Sequence, residues 1–78
     1  MDHRAVILEV IGRVAPDVEL AAVAPNDDLR EQLELDSMDY LTIVTMVCER
    51  TGIEIPEGDY SRIATLDDFV AYVDAKAA

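Results

Sequence analysis

The chain has 78 residues and carries 17 acidic side chains against 6 basic ones, for a net charge of −11. That length gives the expectation of one domain spanning 1–78, which buries only about 60% of its unfolded surface and so depends on efficient helix packing. The charge excludes ordinary phosphate-backbone binding to nucleic acid and disfavours anionic membrane surfaces, which leaves basic proteins as partners.

The acids do not make the chain disordered, because 51% of the residues are hydrophobic and the acids lie between them rather than in one run. One cysteine excludes an internal disulfide and a cysteine-rich metal site. The lone histidine, His3, is a poor base for a catalytic triad, so neither an enzyme nor a metal protein is expected. No apolar run reaches the length of a membrane span, and no signal-peptide pattern opens the chain. The cytoplasm, or another reducing compartment, is the expected location.

The first predicted helix runs from about Asp2 to Val14, with Val6, Ile7, Val10, Ile11 and Val14 on one face. Ala15-Pro16 ends it, since a residue before proline avoids the helical region. Residues 16–35 form a long connection marked by Pro16, Pro25 and Asn26-Asp27-Asp28. Leu20, Val23, Leu29, Leu33 and Leu35 are expected to pin it to the core, with a short helical turn over 28–33. The second main helix runs from about Ser37 to Thr51, capped by Asp36 with Asp39 three residues on and closed by Gly52. Its apolar stripe holds Tyr40, Leu41, Ile43, Val44, Val47 and Cys48, which reads Cys48 as a buried structural thiol. Met38 and Met46 fall on the polar side and suggest an adaptable contact surface. A short helical or irregular segment follows over 58–63. Thr65 then caps the last helix, with Asp68 three residues on and Leu66, Phe69, Val70 and Val73 at helical spacing. No alternating strand pattern competes, so the fold class is all-α: a small bundle of three main helices plus one short helix.

Leu35-Asp36-Ser37-Met38-Asp39 is the informative stretch, because it puts a serine at the first turn of a helix, just after a long loop. Taken alone, Asp-Ser is an ordinary helix cap. The acids do not fall into a calcium-loop spacing, and phosphorylation of Ser37 is only a generic possibility.

From Leu35 the sequence reads L-D-S-M-D-Y-L-T-I-V, then G-I-E-I-P-E-G-D-Y over 52–60 and I-A-T-L-D-D-F-V-A-Y-V over 63–73. In order and spacing this resembles the acyl carrier protein family, in which D-S-L-D precedes an apolar helix, I-x-I-P-D/E and I-x-T-V/L. The resemblance implies an acyl-carrier-like bundle that is not itself an enzyme. It implies 4′-phosphopantetheine as covalent cofactor on Ser37, moved there from coenzyme A by a phosphopantetheinyl transferase. Acyl groups would ride as thioesters on the arm, between enzymes of fatty-acid, polyketide or other specialised acyl biosynthesis.

The implied partners are that transferase, an acyl-loading ligase or transferase, and synthases or acyltransferases with basic patches. Asp36, Met38, Asp39, Leu41, Met46, Glu49 and Glu57 are the candidate recognition residues, with Glu54 and Asp59 adding to the acidic surface. Ile43, Val44, Val47, Ile55, Tyr60, Ile63, Phe69 and Val73 are the candidate acyl pocket, and they are expected to be ordinary core as well. Thr42, Cys48 and Arg50 stand where fatty-acid members place acids, and Tyr40 and Tyr60 stand where smaller residues are common. These departures point to a specialised carrier for a short or polar acyl group. The start at Met1 and the finish soon after the last helix give the expectation of a free-standing, monomeric carrier. Two other readings stay open: an aminoacyl or peptidyl carrier, and an unmodified acidic adaptor that binds a partner helix through Met38 and Met46.

Overall fold

The computed structural model describes residues 2–78. Three long helices, α1 (His3–Val14), α3 (Ser37–Thr51) and α4 (Leu66–Ala77), build the bundle. A four-residue α2 (Leu29–Gln32) and two 3-10 segments, Leu20–Ala22 and Glu57–Ile63, lie in the connections. Among the described residues there is no strand, only an isolated antiparallel bridge between Asp28 and Thr65. No helix among them is long and apolar enough to cross a membrane.

Each long helix starts where a side chain can take up an orphan backbone N–H. Asp2 accepts from the Ala5 amide, Asp36 from the Asp39 amide and Thr65 from the Asp68 amide. At the other end of α3, Gly52 adopts a left-handed φ of 71° and donates its amide to the Cys48 carbonyl. A glycine tolerates that conformation without a Cβ clash. Of the face expected on α1, Ile7, Val10 and Ile11 are fully buried, while Val6 and Val14 lie half-buried at its edges.

These three residues meet Ile43, Val44 and Val47 of α3 and Phe69 and Val73 of α4 in one contiguous core. Polar and charged contacts at the rim tie α1 to both neighbours. Arg4 pairs with Asp67 at 2.6 Å, His3 with Asp74, and Arg50 of α3 with Glu9 at 3.0 Å.

The long connection is held by polar bonds as well as by its leucines. Leu29 and Leu35 are buried; Leu20, Val23 and Leu33 are half-buried against the core. The Gln32 carboxamide accepts from the Ala24 amide and donates to the Ala24 and Asp27 carbonyls. The Leu29 amide donates to the Ala64 carbonyl at 2.8 Å, and the Asp67 amide to the Pro25 carbonyl at 3.0 Å. The connection is thereby clamped to the start of α4, which fixes where α2 and the beginning of α3 stand.

Candidate functional site

The approach to α3 is a tight reversal. After α2, Glu34 takes a left-handed φ of 54° and the Leu35 amide donates to the Arg30 carbonyl at 2.9 Å. Leu35 then turns into the core and Asp36 caps α3 in an extended conformation. Ser37, the next residue, sits exposed at the first position of the helix. The reversal places it opposite Arg30, whose guanidinium donates to Ser37 Oγ at 3.0 Å.

Arg30 also lies over the Tyr40 ring, 5.8 Å from its centroid. Among the described residues Arg30 makes no ion pair with a carboxylate. Tyr40 is buried and donates its hydroxyl to the Ile63 carbonyl at 2.8 Å. Burial, reinforced by the charge of Asp28 and opposed by Arg30, pushes that hydroxyl up to about 12, so it stays a donor. The Tyr60 ring meets Tyr40 edge to face, with centroids 6.3 Å apart and an interplanar angle of 80°. A surface hollow of about 270 Å³ opens here, lined by Arg30, Ser37, Tyr40, Leu41, Glu57 and Tyr60.

The expected recognition residues lie around this hollow and along α3. Met38 is 70% exposed and Leu41 44%, an unusual pair of large apolar side chains left in solvent. Asp36, Glu49 and Glu57 are exposed, and Asp39 is half-buried with its amide bound by the cap. Met46 departs from expectation: it is half-buried and packs on the core rather than standing on the polar side. It lies one turn beyond the buried Ile43, and its long unbranched side chain can fold over that flank. Cys48, expected to be buried, is likewise half-buried at the core's edge.

Of the candidate acyl-pocket residues, Ile43, Val44, Val47, Ile55, Ile63, Phe69 and Val73 are buried in the common core. Tyr60 stands apart from them, half-buried at the hollow beside Ser37. Two features escape sequence reasoning. Arg30 is one of only 6 basic residues and stands seven positions before Ser37, but spacing alone does not say that the chain reverses between them. The Tyr40 hydroxyl bond reaches across 23 positions, which no local pattern reveals.

The arrangement fits a phosphodiester-linked arm. A primary hydroxyl stands exposed on a capped, rigid helix start, with a guanidinium already at its oxygen. Among the described residues, Arg30 is the side chain that hydrogen-bonds the Ser37 hydroxyl, and it donates to it. Residues 4–73 match the family described as "Phosphopantetheine attachment site". The chain is similar to the acyl carrier protein of Rubrobacter xylanophilus, at 34% identity with 90% of each chain covered. It is similar to that of Helicobacter hepaticus at 33% identity, covering 92% of this chain and 88% of the relative. With that of Zymomonas mobilis it shares 32% identity, covering 96% and 90% respectively.

Proposed function

This chain belongs to the phosphopantetheine-attachment family, and from that premise we propose that it is an acyl carrier protein with its 4′-phosphopantetheine on Ser37. The observation that carries the reading is the exposed Ser37 hydroxyl at the first turn of α3, directly after its Asp36 cap. When attached, the arm supplies the thiol on which an acyl group is carried. The protein is therefore a carrier and not an enzyme, and its own residues bind, position and shield.

In the loading reaction a bond forms between Ser37 Oγ and phosphorus as the pyrophosphate bond of coenzyme A breaks. Adenosine bisphosphate leaves, and the hydroxyl proton goes to a base on the transferase. The partners are that transferase and the enzymes that load and use the acyl group. Met38 and Leu41, exposed beside Asp36 and Glu57, support a docking face with an apolar centre and an acidic rim. Basic patches on partner enzymes would meet that rim, mainly speeding encounter and setting orientation. Met46 and Glu49 extend the face along α3, with Met46 contributing only its exposed edge. We read residues 1–78 as one carrier domain acting as a monomer in a reducing compartment such as the cytoplasm, in keeping with its single unpaired cysteine.

The test is intact-protein mass after incubation with coenzyme A and a broad-specificity phosphopantetheinyl transferase. The wild type is expected to gain one phosphopantetheine and Ser37→Ala none. No gain on a folded wild type would sink the reading and favour an unmodified adaptor working through Met38 and Leu41. A thiol assay would not serve, since Cys48 contributes a thiol of its own.

A further inference from the structure

We propose that Arg30 is the positioning residue for the phosphodiester on Ser37, turning the arm into the hollow between Tyr40 and Tyr60. This rests on Ser37 being the attachment point. The guanidinium lies 3.0 Å from the oxygen that would carry phosphorus. It is held at that place by the Tyr40 ring beneath it, at 5.8 Å. A stacked guanidinium loses little freedom when it binds, and its planar fork suits the two free oxygens of a phosphodiester.

The surrounding charges give the contact a direction. Asp36, next to Ser37 in the chain, caps α3 with its carboxylate 2.8 Å from the Asp39 amide. That carboxylate repels an anion placed on Ser37. On its other flank Arg30 shares a shallow hollow with Asp28 and Glu31. Neither forms an ion pair with it, so the guanidinium is free to take a new anion. In a chain of net charge −11 the field around Ser37 is otherwise unfavourable to phosphate.

Drawn to Arg30, the phosphodiester is biased away from Asp36 and towards the hollow lined by Tyr40, Leu41 and Tyr60. Apolar groups of the arm can rest against those side chains. Glu57 also lines the hollow, and its carboxylate keeps the phosphodiester itself at the Arg30 end. The contact is exposed and therefore biases the arm rather than locking it, which a carrier requires if the arm is to be handed on.

The test uses arm-bearing wild type, Arg30→Gln and Arg30→Lys. Arg30 is exposed, so both variants should keep the helical circular dichroism of the wild type. Intact mass first counts the arm on each protein. Nuclear Overhauser contacts are then measured between the pantetheine methyl protons and the rings of Tyr40 and Tyr60, together with the phosphorus resonance. The wild type should show these contacts, and Arg30→Gln should weaken them about threefold or more, as loss of one exposed charge pair allows. High salt should weaken them in the wild type and leave Arg30→Gln unchanged. Arg30→Lys should fall between, keeping the charge and losing the fork. Contacts equal in wild type and Arg30→Gln, or absent from an arm-bearing wild type, would overturn the role of Arg30 alone. A wild type that takes no arm would overturn the Ser37 reading and this one with it.

Discussion

At the scale of single residues, Tyr40 connects the bundle to the site. Its ring lies under Arg30 and beside Tyr60, while its hydroxyl ties the first turn of α3 to the Ile63 carbonyl. Tyr40→Phe keeps the ring and removes the bond, leaving a buried carbonyl short of a donor. The expected cost is about 1–3 kcal/mol in denaturant unfolding. The same hydroxyl should give a signature in alkali. Its ordinary value is 10.0 and burial pushes it up to about 12 in the fold. The unfolded chain then releases the proton first, so this contribution is whole below pH 10 and is lost as pH rises towards 12. The wild type should lose stability more steeply than Tyr40→Phe across that window. Parallel pH profiles for the two proteins would show that the hydroxyl is not held back by its surroundings.

At the scale of elements, capping chemistry reads directly from the chain. Asp36, Thr65 and Gly52 stand where the helices begin and end, and each makes the bond expected of it. Glu34 is different, because nothing in its side chain announces a left-handed φ of 54°. The conformation is imposed from outside, by Leu35 entering the core and by the Leu35 amide reaching back to Arg30. A left-handed L-residue costs roughly 1–2 kcal/mol, and glycine returns about 0.5–1 of that as unfolded-state entropy. Glu34→Gly should therefore stabilise the protein by about 0.5 kcal/mol, seen as a raised urea midpoint with an unchanged slope. A lowered midpoint would mean that the Glu34 side chain contributes more than its backbone costs.

At the scale of the whole molecule, one core serves three helices. Phe69 is the largest of its fully buried side chains. Phe69→Ala should cost about 3–5 kcal/mol, a large part of the roughly 5–15 kcal/mol that holds a domain together. Loss of cooperative thermal unfolding, or a steep fall in midpoint, is the expected result. A change under about 1 kcal/mol would mean the helices can close over the gap. The radius of gyration, 11.2 Å, matches the roughly 11.5 Å expected of a compact chain of this length. The rim adds little energy but sets relative placement. Glu9 is shared by Arg13 and Arg50, and its hydrogen bond with Arg50 holds its carboxyl below the usual range.

The sequence by itself determined the three long helices, the caps of α3 and α4, the serine at the start of α3 and most of the buried faces, although Leu41 of the expected α3 stripe stands exposed. These depend on periodicity and on bonds among residues within about four positions, which a linear reading can see. Only the tertiary structure decided what surrounds that serine. Arg30 reaches Ser37 because the backbone reverses at Glu34, and Tyr40 reaches Ile63 because the 3-10 segment, packed on α4, brings that carbonyl to it. Met46 turned towards the core although its position on α3 suggested solvent. In each case the outcome rests on where a second element comes to lie, and that is fixed by packing of the whole core rather than by any local pattern.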